Sequence, residues 1–142
     1  MRVTHVEHIG IAVNDLKEAI RYYETILGLT CYSIEEVPDQ KVRTAFFKIG
    51  EIKLELLEAT SPDSPIHKFL QKKGEGIHHL AFAVDGLRET LTELDEEGVK
   101  LIDREPRKGA EGLKIAFLHP CSSDGVLTEL CEHERISAWG WI

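Results

Sequence analysis

The strongest constraint on this chain is that it is written twice. Residues 7–13 read Glu7-His8-Ile9-Gly10-Ile11-Ala12-Val13, and residues 78–84 read His78-His79-Leu80-Ala81-Phe82-Ala83-Val84. Both give histidine, aliphatic, small, apolar, small, valine, at an offset of 79 − 8 = 71. The same shift lays Leu16 on Leu87, Lys17 on Arg88, Glu18 on Glu89, and Ala45-Phe46-Phe47 on Ala116-Phe117-Leu118. The unit is half of a 142-residue chain. A solenoid repeats on a period of roughly 20–50 residues, so a duplicated module is expected instead.

Each unit reads as β-α-β-β-β. Residues 5–13 alternate, and a strand sends alternate side chains to opposite faces. Ile9, Ile11 and Val13 share the face that packs on a helix, while His8, Gly10 and Ala12 share the other, so small neighbours leave the histidine on an open face. Asp15 and Glu18 form a capping box for a helix through Leu16, Ala19, Ile20, Tyr23 and Leu27, stopped at Gly28. Strands follow over 30–37, 41–49 and 52–58. Ser64 caps and Pro65 opens a short linking helix that ends at Gly74. The second unit repeats the order with a strand over 77–84, a helix over 86–97, and strands over 99–104, 113–119 and 125–132. Lys108 to Gly112 reads as a mobile loop. The expected architecture is a single α+β domain over 1–142. Module one covers 3–59, the linker helix 60–75, module two 76–132 and a tail 133–142. The tail's Trp139 and Trp141 suggest a contact with a partner subunit.

The chemistry sits on the first and last strand of each unit. Leu54-Glu55-Leu56-Leu57 closes unit one and Leu127-Thr128-Glu129-Leu130 closes unit two, at an offset of 129 − 55 = 74. The extra three residues fit in the longer turn Pro120-Cys121-Ser122-Ser123-Asp124-Gly125. A pseudo-twofold axis between the units therefore brings His8, Glu55, His79 and Glu129 to one point. Imidazole plus carboxylate suits a divalent ion such as Co²⁺, Mn²⁺, Ni²⁺, Fe²⁺ or Zn²⁺, with two octahedral positions left over. A lone strand histidine is ordinarily a hydrogen-bonded core residue; recurrence at equivalent positions is what singles these four out. His78, one residue from His79, should face away and be structural. His5, His67 and His133 lack repeat partners and read as surface residues. Cys131 shares the strand face of Glu129 and reads as a core thiol.

Composition narrows the partners. A net charge of −8 argues against nucleic acid, which needs a clustered basic face. No apolar run approaches the ~18 residues of a membrane span. Met1-Arg2-Val3-Thr4-His5 carries no leader pattern. Cys31, Cys121 and Cys131 are an odd number without a C-x-x-C pair, which fits reduced thiols and a cytoplasmic location.

The segments His8-Ile9-Gly10-Ile11-Ala12-Val13, Tyr22-Tyr23, Leu27-Gly28, His79-Leu80-Ala81-Phe82-Ala83-Val84 and Gly125-Val126-Leu127-Thr128-Glu129-Leu130 resemble the vicinal oxygen chelate (glyoxalase, bleomycin resistance, dioxygenase) superfamily of paired βαβββ modules. Within it, Lys53-Leu54-Glu55-Leu56-Leu57, Asp63 to Leu70, Gly76-Ile77-His78-His79 and Phe117-Leu118-His119-Pro120 are most similar to the methylmalonyl-CoA epimerases. The likeness spans about residues 3–132. It implies a curved mixed sheet around a central metal site held by His8, Glu55, His79 and Glu129. It also implies a CoA thioester substrate, inversion at C2 of methylmalonyl-CoA through an enolate, and a homodimer. Glu129 is the carried-over base. The family's other acid/base glutamate falls on Thr44, so Glu55 is assigned the second role. The alternatives on the same scaffold are a lactoylglutathione lyase and an extradiol dioxygenase; a metal-free binding protein would not need the four ligands.

Overall fold

A computed structural model describes residues 3–132. The eight strands are β1 (Val3–Ala12), β2 (Cys31–Val37), β3 (Val42–Ile49), β4 (Ile52–Ala59), β5 (Gly76–Val84), β6 (Arg107–Lys108), β7 (Lys114–Leu118) and β8 (Thr128–Glu132). The helices are α1 (Leu16–Arg21), α2 (Pro65–Lys73) and α3 (Leu87–Glu96). The strands form one mixed sheet in the order β2-β3-β4-β1-β5-β8-β7-β6. Its centre is the antiparallel seam β1–β5, flanked by the parallel pairs β1–β4 and β5–β8. The two halves of the sequence thus lie edge to edge, and their first strands make the seam.

Each half packs its helix on the outer face of its own strands. Val13, Leu16, Ala45, Phe47 and Leu56 form one cluster, joined by Ile9 and Ile11. Val84, Leu87, Ala116, Leu118 and Leu130 form the other. These are the same repeat positions in both halves, so the duplication is written into the packing as well as the strand order. Burying each Leu or Phe here contributes about 1.5–3 kcal/mol. Asp15 caps α1 through Oδ1, which accepts from the Glu18 N–H at 3.2 Å. After Arg21 the helix widens into a π-turn over Tyr22–Ile26 before Gly28, at φ +73°, ends it. Ser64 Oγ accepts from the Ile66 N–H, and Pro65 opens α2. That helix lays Ile66, Phe69 and Leu70 on Ala12, Val42 and Leu57, so it covers the inner face of the first half beside the histidines.

One expected strand is absent. Residues 99–104 make only a bridge, Leu101 to Leu118. The N–H groups of Ile102 and Asp103 both donate to the Phe117 carbonyl, and the Asp103 carboxylate accepts from the Phe117 N–H. The segment therefore crosses β7 at a point instead of laddering along it, and Pro106 has no N–H to extend the pairing. The short β6 takes that edge. The segment Lys108 to Gly112, expected as a mobile loop, contains the end of β6 and a tight turn at Ala110–Gly112. His133, Trp139, Trp141 and the rest of the tail lie outside the described residues.

Candidate metal centre and active site

The sheet register builds two matching rows across its centre. His8 on β1 pairs with Ala81 on β5, which pairs with Glu129 on β8. His79 on β5 pairs with Gly10 on β1, which pairs with Glu55 on β4. Each row is histidine, small residue, glutamate, so a side chain too short to block the way separates each histidine from the glutamate of its own row. Gly10 is held to this role sterically. A Cβ there would lie 2.2 Å from His79 Cε1.

His8, Glu55, His79 and Glu129 are each buried to 3–4% exposure. The Nε2 atoms of His8 and His79 are 3.0 Å apart. Glu129 closes a triangle, with Oε2 3.4 Å from His8 Nε2 and Oε1 3.4 Å from His79 Nε2. Metal–ligand bonds of about 2.0–2.2 Å at right angles separate neighbouring ligands by roughly 2.8–3.1 Å. The triangle is slightly wider than that, and its donor set fits a divalent ion of the borderline class. Glu55 stands differently. Its Oε2 lies 3.1 Å from His8 Nδ1, on the other side of the imidazole.

The protons follow from burial and charge. Burial pushes the His8 pKa down, but Glu55, Glu129 and the hydrogen bond to Glu7 outweigh it and raise it to about 9. Burial, then the charges of His8 and His78, hold His79 well below its ordinary value. Burial also lifts Glu129, and it lifts Glu55 to about 7 against the opposing pull of His8. Without a metal, His8 is therefore the donor and His79 the acceptor across the 3.0 Å contact. His8 Nδ1–H donates to Glu7 Oε1 at 2.6 Å, and His79 Nδ1–H donates to His78 Nδ1 at 2.9 Å. A metal replacing the Nε2 proton of His8 leaves both Nδ1 hydrogen bonds intact, the usual way a ligating imidazole is oriented.

A cavity opens over the four residues, walled by Thr44, Leu57, Leu113 and Ile115. The Thr44 hydroxyl is buried there without a hydrogen-bond partner. A wider, mostly apolar cavity of about 180 Å³ adjoins it, lined by Val42, Leu57, Phe117 and Leu127 with Arg107 among the polar groups.

Comparison with known proteins now decides the family. A family model described as the Glyoxalase/Bleomycin resistance protein/Dioxygenase superfamily matches residues 7–117. The chain is 52% identical to the Bacillus subtilis protein YqjC over 92% of this chain and 93% of that one. It is 37% identical to the human mitochondrial methylmalonyl-CoA epimerase over 88% of this chain and 72% of that one. A Streptomyces coelicolor methylmalonyl-CoA epimerase variant, solved in complex with 2-nitronate-propionyl-CoA, superposes with a TM-score of 0.89 at 39% identity, covering 92% and 95% of the two chains. The chain belongs to the glyoxalase/bleomycin resistance/dioxygenase superfamily.

As a superfamily member it carries the glyoxalase-like sheet and a His/Glu cluster able to hold a metal. The family model ends at Phe117, before Glu129, yet the β8 glutamate completes the donor triangle. One sequence reading is corrected. His78 does not face away from His79, because the register slips between Gly10–His79 and Ile11–Ile77. The irregularity turns its ring back onto His79 Nδ1, edge-on to Phe69 at 5.0 Å. Cys131 is buried and its thiol donates to Glu129 Oε2 at 3.0 Å. His119 accepts from the Cys121 N–H and caps a turn. Glu7 escaped notice from sequence, although it sits before His8 as His78 sits before His79.

Proposed function

We propose that this chain epimerises C2 of methylmalonyl-CoA, with His8, His79 and Glu129 holding a divalent ion, Glu55 turning from the Nδ1 side of His8 to become the fourth ligand, and the two glutamates moving the proton. The observation that carries this reading is a buried His–His–Glu triangle closed by Glu129 of the second half, with a second buried carboxylate, Glu55 of the first half, against His8. Epimerase relatives along most of the chain support it. The analogue in the Streptomyces coelicolor complex is a nitronate, a planar anion with the charge on oxygen, which is the shape of an enolate.

C2 lies between a thioester and a carboxylate, so its proton is acidic. A bound cobalt, manganese, nickel, iron or zinc ion supplies Lewis-acid stabilisation of the negative charge that develops when that proton leaves. The residues do the rest. Glu129 removes the proton from one face of C2, and Glu55 returns one to the opposite face. The C–H pair of electrons passes to the thioester oxygen and returns to C2 with the new proton, so charge and protons balance. Cys131 steadies Glu129, and Leu57, Leu113 and Ile115 keep bulk water from the planar carbon. The apolar cavity beside His79 takes the acyl group, and the CoA portion leaves over Lys108 to Gly112. The active unit is one domain, with modules 3–59 and 76–132 joined by 60–75 and followed by the tail 133–142.

Two further parts of the reading have separate support. A homodimer would cover Tyr22, Ile26 and Leu27, which are 51%, 68% and 50% exposed at the end of α1. A cytoplasmic location suits the three unpaired cysteines; no helix is long and apolar enough to cross a membrane among the described residues. Incubation with (2R)- or (2S)-methylmalonyl-CoA in deuterium oxide tests the function. Inversion with one solvent deuteron at C2 is expected. Unchanged substrate under metal-replete conditions would remove the proposal.

A further inference from the structure

We propose that Glu111, Lys53 and Glu7 form a positioning chain that ties the turn at Ala110–Gly112 to the ring of His8, so that the turn's placement sets metal affinity. This rests on the reading of His8 as a metal ligand. The links are continuous. Glu111 Oε1 accepts from Lys53 Nζ at 2.5 Å, and Lys53 Nζ lies 2.9 Å from Glu7 Oε2. Glu7 Oε1 then holds His8 Nδ1 at 2.6 Å. Signs alternate along the chain, and the side chains of Glu7, Lys53 and Glu111 are only 15%, 14% and 30% exposed. That enclosure separates these pairs from surface ion pairs, which are worth little.

The turn is held at a cost that only its contacts offset. Glu111 has φ +58°, in the left-handed region that a residue with a Cβ avoids. Three groups from the first half secure it: the Glu35 carboxylate accepts its N–H at 2.8 Å, Tyr32 Oη donates to it at 3.1 Å, and Lys53 donates to it. Its neighbours Ala110 and Leu113 wall the metal cavity. Among the described residues the other half has no such chain. The repeat mate of Glu111 is Gln40, that of Lys53 is Leu127, and that of Glu7 is the neutral His78. Of the two histidines, His8 is the one tied to a described turn from across the seam.

Co²⁺ affinity of the whole chain, measured by competition with a chromophoric chelator and by the ligand-field spectrum, tests this. Glu7→Gln is expected to weaken binding about 10–100-fold. Lys53→Met and Glu111→Gln should each weaken it about three- to ten-fold, with the double variant no worse than Lys53→Met alone. Lys53→Arg, which keeps a bridging cation, should retain wild-type affinity. Simple charge repulsion predicts the reverse for Lys53→Met, since removing a cation near the site should tighten Co²⁺ binding. Unchanged or tighter binding by Lys53→Met, or independent effects that multiply in the double variant, would overturn the inference. His8→Ala separates the two readings. If it binds Co²⁺ as well as wild type, the ligand assignment fails and the positioning chain with it; if binding is lost there but Lys53→Met is unaffected, only the chain fails.

Discussion

The two halves of this protein share a backbone plan and differ in what touches their functional side chains. In the first, His8 is held by the carboxylate of Glu7, and Glu55 lies against its Nδ1 side. In the second, His79 is held by the neutral His78, and Glu129 closes the Nε2 triangle with a thiol donating to the oxygen that faces His8. The cavity wall differs too: Thr44 in one half stands where the other has Ile115. Duplication thus supplies matched positions for two histidines and two carboxylates, while single substitutions around them make the pairs chemically unlike. An epimerase needs that combination. The ion must be gripped from both sides, yet C2 has two faces, each requiring its own proton carrier.

Where the halves are alike, breaking either should do the same damage. His8→Ala and His79→Ala are each expected to abolish divalent-ion binding and lower turnover by on the order of 10³-fold or more. Chelation should match them, with far-UV circular dichroism preserved, because the helix-packed apolar cores of both halves contain no ligand and hold the sheet independently. A variant of one histidine that keeps normal affinity would break the symmetry of the grip. Next in size is Gly10→Ala, which places a methyl against the His79 ring. It should weaken the metal by about ten-fold and cost roughly 1–3 kcal/mol of stability, read by metal titration and thermal melting. The equivalent position in the other half already carries the methyl of Ala81, so wild-type behaviour of Gly10→Ala would show that the rows tolerate the same residue.

The smallest effect tests the wall. Thr44→Val keeps the shape of the side chain and removes a buried hydroxyl without a partner. It should raise stability by about 1 kcal/mol, seen as a higher melting temperature, and leave turnover within a few-fold. A turnover loss of about 10²-fold with the metal still bound would instead make Thr44 part of the proton path.

The repeat made the fold and the four central residues legible, because strand alternation and a 71-residue offset are local patterns that need no tertiary information. What escaped depends on long-range geometry. The missing strand at 99–104 follows from Asp103 folding back on Phe117, 14 residues later in sequence. The ring of His78 is turned by a slip in the β1–β5 register, which alternation in one strand cannot reveal. The side of His8 on which Glu55 rests depends on rotamers. Glu111 meets Lys53 from 58 residues away, across the seam, and nothing near it in sequence points there.

Deuterium wash-in with Glu55→Gln and Glu129→Gln tests most directly whether the two carboxylates serve opposite faces of C2. The amide keeps an oxygen for the metal and cannot take the proton. Each variant is expected to lose epimerisation by about 10²–10⁴-fold while still exchanging solvent deuterium into one enantiomer of methylmalonyl-CoA, the opposite one in each case. If Glu55→Gln, with its metal bound, epimerises both enantiomers near the wild-type rate, Glu55 carries no proton and the two-carboxylate mechanism is wrong.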